Sequence, residues 1–593
     1  MRKGILRFWL TLVAAIVCVQ IQAQSTFKYT STEKVERFEE IEYFVGATGV
    51  RSHDWNADSG EGTVVYEGTV TEVGSYALQW QGKLTGIVIP EGVTRIGFQG
   101  FFQCSNLTNL TLPKSLKEIG VPSGQAFGGC SGLANGQFII DDIAWWCSLT
   151  INGGSNPLSY TKKFYSAPDV EVTDLVIPEG VTSICGNAFY GVEGIKSVTF
   201  PESVTSIGSD AFAFTGLETV TIPKGVTEIS SGTFQHCSKL ESVIIPEGVT
   251  TIGDGAFNHT ALRELTLPST ITNMMQSFYS CDSLVTLTLT PGITDLGGSF
   301  YSCHALTAVN IPGSVKTVGY SDFSNCTALA TVTLNEGTED VSLRGCENLA
   351  TINFPSTIKE VYIKGSTALE TVTLNEGLEE IGSFDDCSSL KRINIPSTVT
   401  YVGTFKNCYA LEKVIVKDLK SWCEARHYDA FWYGPTKYAG KLYSDENTEI
   451  TDLVIPTGTT QITGEAFIYL PDITSATIPA TVETIGNNLF HECPGLADVY
   501  CYVNPDNLNW SGYDNANAFM PEKQTQFHVP DTAPWLTKYG DANVTYAGDL
   551  SGIHGITTDG ATLKGPRYNL SGQRVGNDYK GVVIINGQKQ ITK

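Results

Sequence analysis

The stretch Leu240-Glu-Ser-Val-Ile-Ile-Pro-Glu-Gly-Val-Thr-Thr-Ile-Gly-Asp-Gly-Ala-Phe257 decides the fold. It reads as a short apolar run, a Pro-Glu-Gly turn, a second β-branched run and a Gly-x-x-Ala-Phe corner. Variants of it recur along most of the chain. With the turn proline as landmark, the marks fall at Pro90, Pro113, Pro178, Pro201, Pro223, Pro246, Pro268, Pro291 and Pro312, then at Asn335, Pro355, Asn375, Pro396, Pro456 and Pro479. Two long gaps aside, the spacing is 20 to 23 residues. A fixed period of that size marks a solenoid of stacked coils, in which each coil buries its apolar face only against its neighbours.

Within one coil the apolar frame is Leu240-x-x-Val243-x-Ile245, and it returns at Leu217, Leu262 and Leu390. Strand alternation turns Val243 and Ile245 inward and leaves Glu241 or Ser242 to solvent. Pro246 stops the strand and Gly248 supplies the permissive turn backbone. Val249 to Ile252 then forms a second extended run on the opposite wall, and Ala256 and Phe257 fill the corner. Ten cysteines (Cys104, Cys130, Cys237, Cys281, Cys303, Cys326, Cys346, Cys387, Cys408 and Cys493) sit three residues before a leucine. They form a structural column of small buried hydrophobes rather than a disulfide framework. No Cys-x-x-Cys occurs, so zinc has no motif to stand on.

Of the 593 residues, 38 are Lys or Arg and 62 are Asp or Glu, a net charge of −24. Nucleic acid and anionic membrane both require a basic footprint, which this balance lacks. Residues 1–23 read as a secretory signal, with basic residues ahead of an apolar run from Phe8 to Val19 and a small-residue cut after Ala23. That run is too short to span a bilayer comfortably, and membrane insertion is not expected. Residues 24–66 read as an N-terminal β cap over the first coil. The solenoid is expected over 67–497, with variant coils at about 138–177 and 414–455. Capping coils follow over 498–547, and a linker and β tail over 548–593.

The two variant coils match each other. Asp142-Ile-Ala-Trp-Trp-Cys147 and Asp418-Leu-Lys-Ser-Trp-Cys423 both lead into Thr-Asp-Leu-Val-Ile-Pro, at Thr173 and Thr451. Asp142 and Asp418 are natural N-caps for a short helix. The aromatics Trp145, Trp146, Tyr165, Trp422, Phe431, Trp432 and Tyr433 are candidates for a sugar or peptide platform, against the plainer expectation of a local core. Near the C-terminus, Trp535 to Tyr539 reads as a small capping helix.

No catalytic constellation interrupts the ladder. His236 and His259 occupy equivalent places in neighbouring coils and read as a solvated pair able to stack, with a metal site as the less favoured alternative, in a column continued by Ser280, Ser302 and Asn325. Asp385-Asp386 and Glu379-Glu380 read as solvated faces without basic partners. No nucleophile elbow, zinc-protease helix, phosphate loop or dinucleotide fingerprint is present. No catalytic, cofactor-binding or metal residue is therefore assigned, and no cofactor is expected.

Ile89-Pro-Glu-Gly-Val-Thr94, Ile177 to Thr182 and Ile245 to Thr250 share one hexapeptide. With the Ile-Gly-x-x-Ala-Phe corners and Cys-x-x-Leu steps, they closely resemble the BspA-like leucine-rich repeats of bacterial surface proteins, over roughly 67–545. The resemblance implies a β-rich, right-handed leucine-rich-repeat-like stack of short parallel strands. It also implies a secreted or cell-surface protein of Gram-negative gut or oral bacteria, whose relatives are adhesins that contact host matrix proteins, other bacteria or innate receptors. The tail Tyr568-Asn-Leu-Ser-Gly-Gln-Arg-Val575 resembles the C-terminal sorting segments of type IX secretion cargo. The expected function is non-catalytic adhesion by a monomer to a protein or glycan on host or bacterial surfaces. The alternatives are a self-associating surface filament and a polysaccharide-acting β-helix enzyme.

Overall fold

The computed structural model describes residues 24–547, apart from 123, 429, 507, 511–518, 520, 522–523, 531, 533–534 and 536–543, together with four strands between Arg567 and Thr592. The expected signal, residues 548–552 of the expected linker and most of the expected helix over Trp535–Tyr539 lie outside the described residues. The chain divides into two compact units, Met1–Gly292 with Gly297–Cys303 and Ile293–Leu296 with His304–Lys593. Each is a parallel β-solenoid.

The first unit opens with an antiparallel group. Gln24–Ser31 pairs with Glu61–Glu67 on one side and with Leu84–Val88 on the other, and from Leu84–Val88 onward the pairing becomes parallel. Phe27, Phe38, Phe44 and Tyr66 are fully buried beneath it, and the Tyr66 hydroxyl donates to the Phe38 carbonyl at 2.6 Å. The repeats then follow the expected design. Asp174–Val176, Ser197–Thr199, Thr219–Thr221 and Ser242–Ile244 form one parallel sheet. Its register pairs Val176 with Thr199, Ser197 with Thr219 and Thr221 with Ile244, which brings Pro178, Pro201, Pro223 and Pro246 into one row. On the opposite wall Glu228–Ile229, Thr251–Ile252 and Asn273–Met274 form a separate sheet of two-residue strands. Between the walls the corner phenylalanines stack with centroids 5.2 to 5.7 Å apart, from Phe189 through Phe212, Phe234, Phe257 and Phe278 to Phe300. A stack of this kind adds aromatic attraction to the burial of each ring.

The second unit repeats the scheme. Thr331–Leu334 pairs with Thr351–Asn353, and Asp340–Arg344, Glu360–Lys364, Glu380–Ser383 and Tyr401–Thr404 line the other wall. Asp452–Val454, Ser475–Ile478, Asp498–Cys501, Thr525–His528 and Val544–Ala547 form another parallel sheet. Arg567–Asn569, Arg574–Val575, Gly581–Ile585 and Gln588–Thr592 make an antiparallel sheet of their own.

Two hydrogen-bond rows bind coil to coil. The turn glutamate accepts from the next turn: Glu91 from the Lys114 and Ser115 amides, Glu247 from Ser269, Glu336 from Ser356 and Glu376 from Ser397. These backbone donors hold the Glu91 and Glu336 carboxyls below their ordinary range. Along the cysteine column thiols donate to the corner carbonyl of the preceding coil, as from Cys130 to Phe101, Cys237 to Phe212 and Cys408 to Phe384, at 3.0 to 3.1 Å. Thr215 and Thr260, at the two shortened steps, take the column's place and bond their own corner carbonyls at 2.8 and 2.9 Å. Where the turn proline is replaced, Asn335 and Asn375 send their amide groups to the Ile311 and Phe354 carbonyls at 2.7 and 2.8 Å.

Candidate interaction surfaces

The two variant coils are built alike. Asp142 caps the helix Ile143–Cys147 by accepting from the Trp145 amide, and Asp418 caps Leu419–Glu424 by accepting from the Lys420 and Ser421 amides. Each helix sends a buried tryptophan into the corner column. The Trp146 indole donates to the Ala188 carbonyl at 2.8 Å and the Trp422 indole to the Ala466 carbonyl at 2.9 Å. These rings are therefore core, and no shared platform forms. Trp145 is tied to the Leu116 carbonyl, while Phe431 packs on His491. Trp432, 57% exposed, packs edge-on against Phe431 with centroids 4.9 Å apart and carries Lys437 over its ring. The sequence reading expected one short helix in each variant coil; the first carries a second, Leu158–Thr161, and the second carries two more, Ala430–Tyr433 and Pro435–Ala439.

His236 and His259 do stack, with centroids 4.4 Å apart and planes 8° from parallel, and Phe214 stacks on His236. Burial and the neighbouring His259 depress the His236 pKa. Parallel rings direct their in-plane lone pairs side by side, so the pair cannot converge on one metal ion. Its origin is backbone geometry. Phe214, His236, His259, Ser280, Ser302 and Asn407 all hold φ between 52° and 62° at the same corner, where other coils use Gly129, Gly191 or Gly365. Histidine and asparagine tolerate that left-handed region better than most residues.

Among the described residues no group of three or more His, Cys, Asp or Glu side chains is placed to hold a metal ion. Burial pushes the Cys237 and Cys281 thiols up to about 11, which removes them as nucleophiles. The expectation that Asp385 and Asp386 lack basic partners is corrected by Lys364, whose ammonium lies 3.6 Å from Asp385 and 4.0 Å from Asp386. Glu379 likewise lies in the field of Lys359. Both bases come from the coil before, twenty or more residues away, which local sequence cannot show.

What remains exposed and repetitive is the outer face of the longer strands. In the four-stranded sheet of the first unit the outward positions are Asp174, Ser197, Thr219 and Ser242 in one column and Val176, Thr199, Thr221 and Ile244 in the other. The second column carries no charge, and Val176 and Ile244 are each 59% exposed. Thr199 and Thr221 open into a depression of about 510 Å³ that Phe200, Pro201, Ile222 and Pro223 also line, with Glu202 and Lys224 at its charged end. In the second unit the corresponding sheet runs Thr371–Val372, Arg392–Ile395, Lys413–Val416 and Leu442–Tyr443. There the outward residues are Thr371, Arg392 and Lys413, then Thr373, Asn394, Ile415 and Tyr443. One face is hydroxylated and apolar; the other is basic.

The profile of the BspA type leucine rich repeat region (6 copies) matches residues 68–141, 160–277, 274–364, 339–431 and 441–527. Among solved structures, a leucine-rich repeat protein from Bacteroides ovatus ATCC 8483 is 26% identical, with a TM-score of 0.43, over 59% of this chain and 83% of that one. A leucine rich cell surface protein from Faecalibacterium prausnitzii A2-165 is 23% identical, with a TM-score of 0.34, over 63% and 97%. The pneumococcal vaccine antigen PcpA is 18% identical, with a TM-score of 0.32, over 63% and 89%. No curated protein matches the chain. No helix among the described residues is long and apolar enough to cross a membrane.

Proposed function

Because this chain belongs to the BspA-type leucine-rich repeat family, we propose that it is an exported, non-catalytic interaction protein that adheres to a protein or glycan through its exposed strand face. One observation carries this reading. The outward column Val176, Thr199, Thr221 and Ile244 of the first unit runs in register from coil to coil without charge, and Val176 and Ile244 remain open to water. Many weak contacts repeated at the strand spacing of about 4.8 Å sum into useful avidity without any deep pocket. Export is supported by the leader-like residues 1–23, and passage by a type IX route by the sorting-like tail from Tyr568 to Val575.

The test is saturable binding of the purified chain to immobilised matrix proteins and glycans. Replacing Thr199 and Thr221 together by arginine places two charges on the uncharged strip without touching the core. At least a tenfold loss of binding is expected, with an unchanged melting temperature. Wild-type protein that is folded yet binds nothing across a broad panel overturns the reading. Concentration-dependent assembly of the chain alone would favour a self-associating surface protein instead.

A further inference from the structure

The basic sheet face of the second unit is covered by a loop of the same chain. After the strand Leu442–Tyr443 the chain makes a tight reversal, with Asp445 accepting from the Asn447 and Thr448 amides and Tyr443 bridged to Glu449. The tip falls on the outward residues of the sheet. The Glu446 carboxylate pairs with the Arg392 guanidinium at 2.8 Å, and the Lys413 ammonium donates to the Glu446 main-chain carbonyl at 3.0 Å. A depression of about 310 Å³ lies beneath, lined by Thr373, Arg392, Asn394 and Lys417 and by Ser444 to Glu446 of the tip. Lys417 is shared with Glu376 at 3.4 Å, and Lys391, next to Arg392 in the chain, is held by Glu370 at 2.7 Å.

The first variant coil supplies an internal control. Ile139 bridges to Tyr165 as Ile415 pairs with Tyr443, so the two reversals superpose in register. At the places of Arg392, Lys413 and Lys417 the first copy carries Asn109, Gln137 and Asp141. At the places of Asp445 and Glu446 it carries Ala167 and Pro168. The hairpin itself is kept in both, with Lys163–Glu171 and Lys441–Glu449 each at 2.9 Å. The first tip does carry one acid, Asp169, which accepts from the Gln137 side-chain amide at 2.6 Å, so tip and sheet touch in both copies; only the second sets a carboxylate against bases there.

We propose that the face around Arg392, Lys413 and Lys417 is a binding site for an acidic saccharide, carrying uronate or sulfate groups, which displaces the hairpin tip. Glu446 stands where the ligand's anion would lie. A guanidinium flanked by ammonium groups suits carboxylate or sulfate oxygens. The remaining lining of hydroxyl and amide groups suits sugar hydroxyls, and the depression has room for one or two rings. An acidic peptide is a poorer fit. Arg392–Ile395 is paired on both sides, so no sheet edge is free to take up a peptide backbone. The inference uses the second unit alone and stands apart from the uncharged strip of the first.

Calorimetry on the full chain, at low and at physiological salt, tests it with a heparin-derived hexasaccharide, an oligogalacturonate, a neutral maltohexaose and oligoglutamate. One or both acidic saccharides should bind, more weakly at higher salt, and maltohexaose should not. Arg392→Gln combined with Lys413→Gln should lower affinity at least tenfold. Glu446→Gln should raise it by about two- to five-fold, the range expected for removing an exposed competing ion pair. The opposite signs matter, because a purely structural Arg392–Glu446 pair would make both variants behave alike. Melting curves of Arg392→Gln and Glu446→Gln confirm folding. Failure of both acidic saccharides to bind either wild type or Glu446→Gln, shifts of the same sign, or binding of oligoglutamate in their place would each overturn the proposal. Loss of adhesion in the Thr199 and Thr221 variant leaves it untouched.

Discussion

The two variant coils, one in each unit, are two copies of one solution with different surfaces. Both start a helix at an aspartate, bury a tryptophan against the next regular coil and leave through Thr-Asp-Leu-Val-Ile-Pro. They part company wherever a side chain is not needed to close the stack. The first copy lays neutral and acidic residues along its sheet, the second a basic patch under an acidic tip. On the far wall the first places Ile151 where the second places His427, within the strands Thr150–Ile151 and Arg426–His427. Stacking therefore constrains the inward half of each coil and releases the outward half. A repeat protein can change partners without changing fold for that reason.

The comparison breaks most sharply if the tryptophans are not equivalent. Trp146 and Trp422 are both buried, and each fills its corner while donating one hydrogen bond. Trp146→Ala and Trp422→Ala should each cost about 3–5 kcal/mol, the usual range for emptying so large a site. Denaturant unfolding of the two variants checks this. The two losses should be similar, because each ring also has aromatic neighbours: Phe138 and Trp145 for Trp146, and His427 for Trp422. A small loss in either variant would mean that one copy is held by its loops.

Acid should separate the copies next. His427 donates to or accepts from nothing charged. Its Nε2 lies 2.9 Å from the Trp422 carbonyl, and burial takes its pKa from 6.5 down to about 4. A histidine depressed in the folded state is fully stabilising above its unfolded pKa. That contribution fades as pH falls from 6.5 towards 4, because only the unfolded chain takes up the proton readily. The loss is on the order of 3 kcal/mol, the cost of taking the imidazole from 6.5 down to about 4. His427→Ile, which imports the first copy's residue, should flatten the dependence between pH 7 and 4.5. Below about pH 4.5 Glu91 and Glu336 add their own loss, since their carboxyls are held low by turn amides. A variant as acid-sensitive as wild type between pH 6.5 and 5 would remove His427 from the account.

Nearly all of the inward architecture was legible in the sequence. The period, the Leu-x-x-Val-x-Ile frame, the two aspartate caps and the row of turn prolines follow from local spacing, and local spacing is what a coil obeys. The matched histidines were also legible as a pair able to stack, though the left-handed corner that selects them was not. The surfaces were less legible because they join residues a whole coil or more apart. Lys364 reaches Asp385 across 21 positions and Arg392 reaches Glu446 across 54. Only register brings such residues together, and the register of the second reversal depends on how many residues its extra helices consume.

The finest distinction between the copies lies at their caps. Asp418 is half-buried and accepts three bonds, from the Lys420 and Ser421 amides and from the Ser421 hydroxyl at 2.7 Å. Asp142 is exposed and accepts one, from the Trp145 amide at 2.9 Å. Removing a cap of this kind costs typically about 1 kcal/mol. Asp418→Ala should lie at or above that value and Asp142→Ala below it. Global unfolding would blur so small a difference, whereas amide exchange reads each helix separately. Amides of Leu419–Glu424 should lose more protection in Asp418→Ala than those of Ile143–Cys147 lose in Asp142→Ala. The reverse order would place the anchoring of the first helix in its cap, and would leave the Trp146 indole bond as a lesser contribution than its burial suggests.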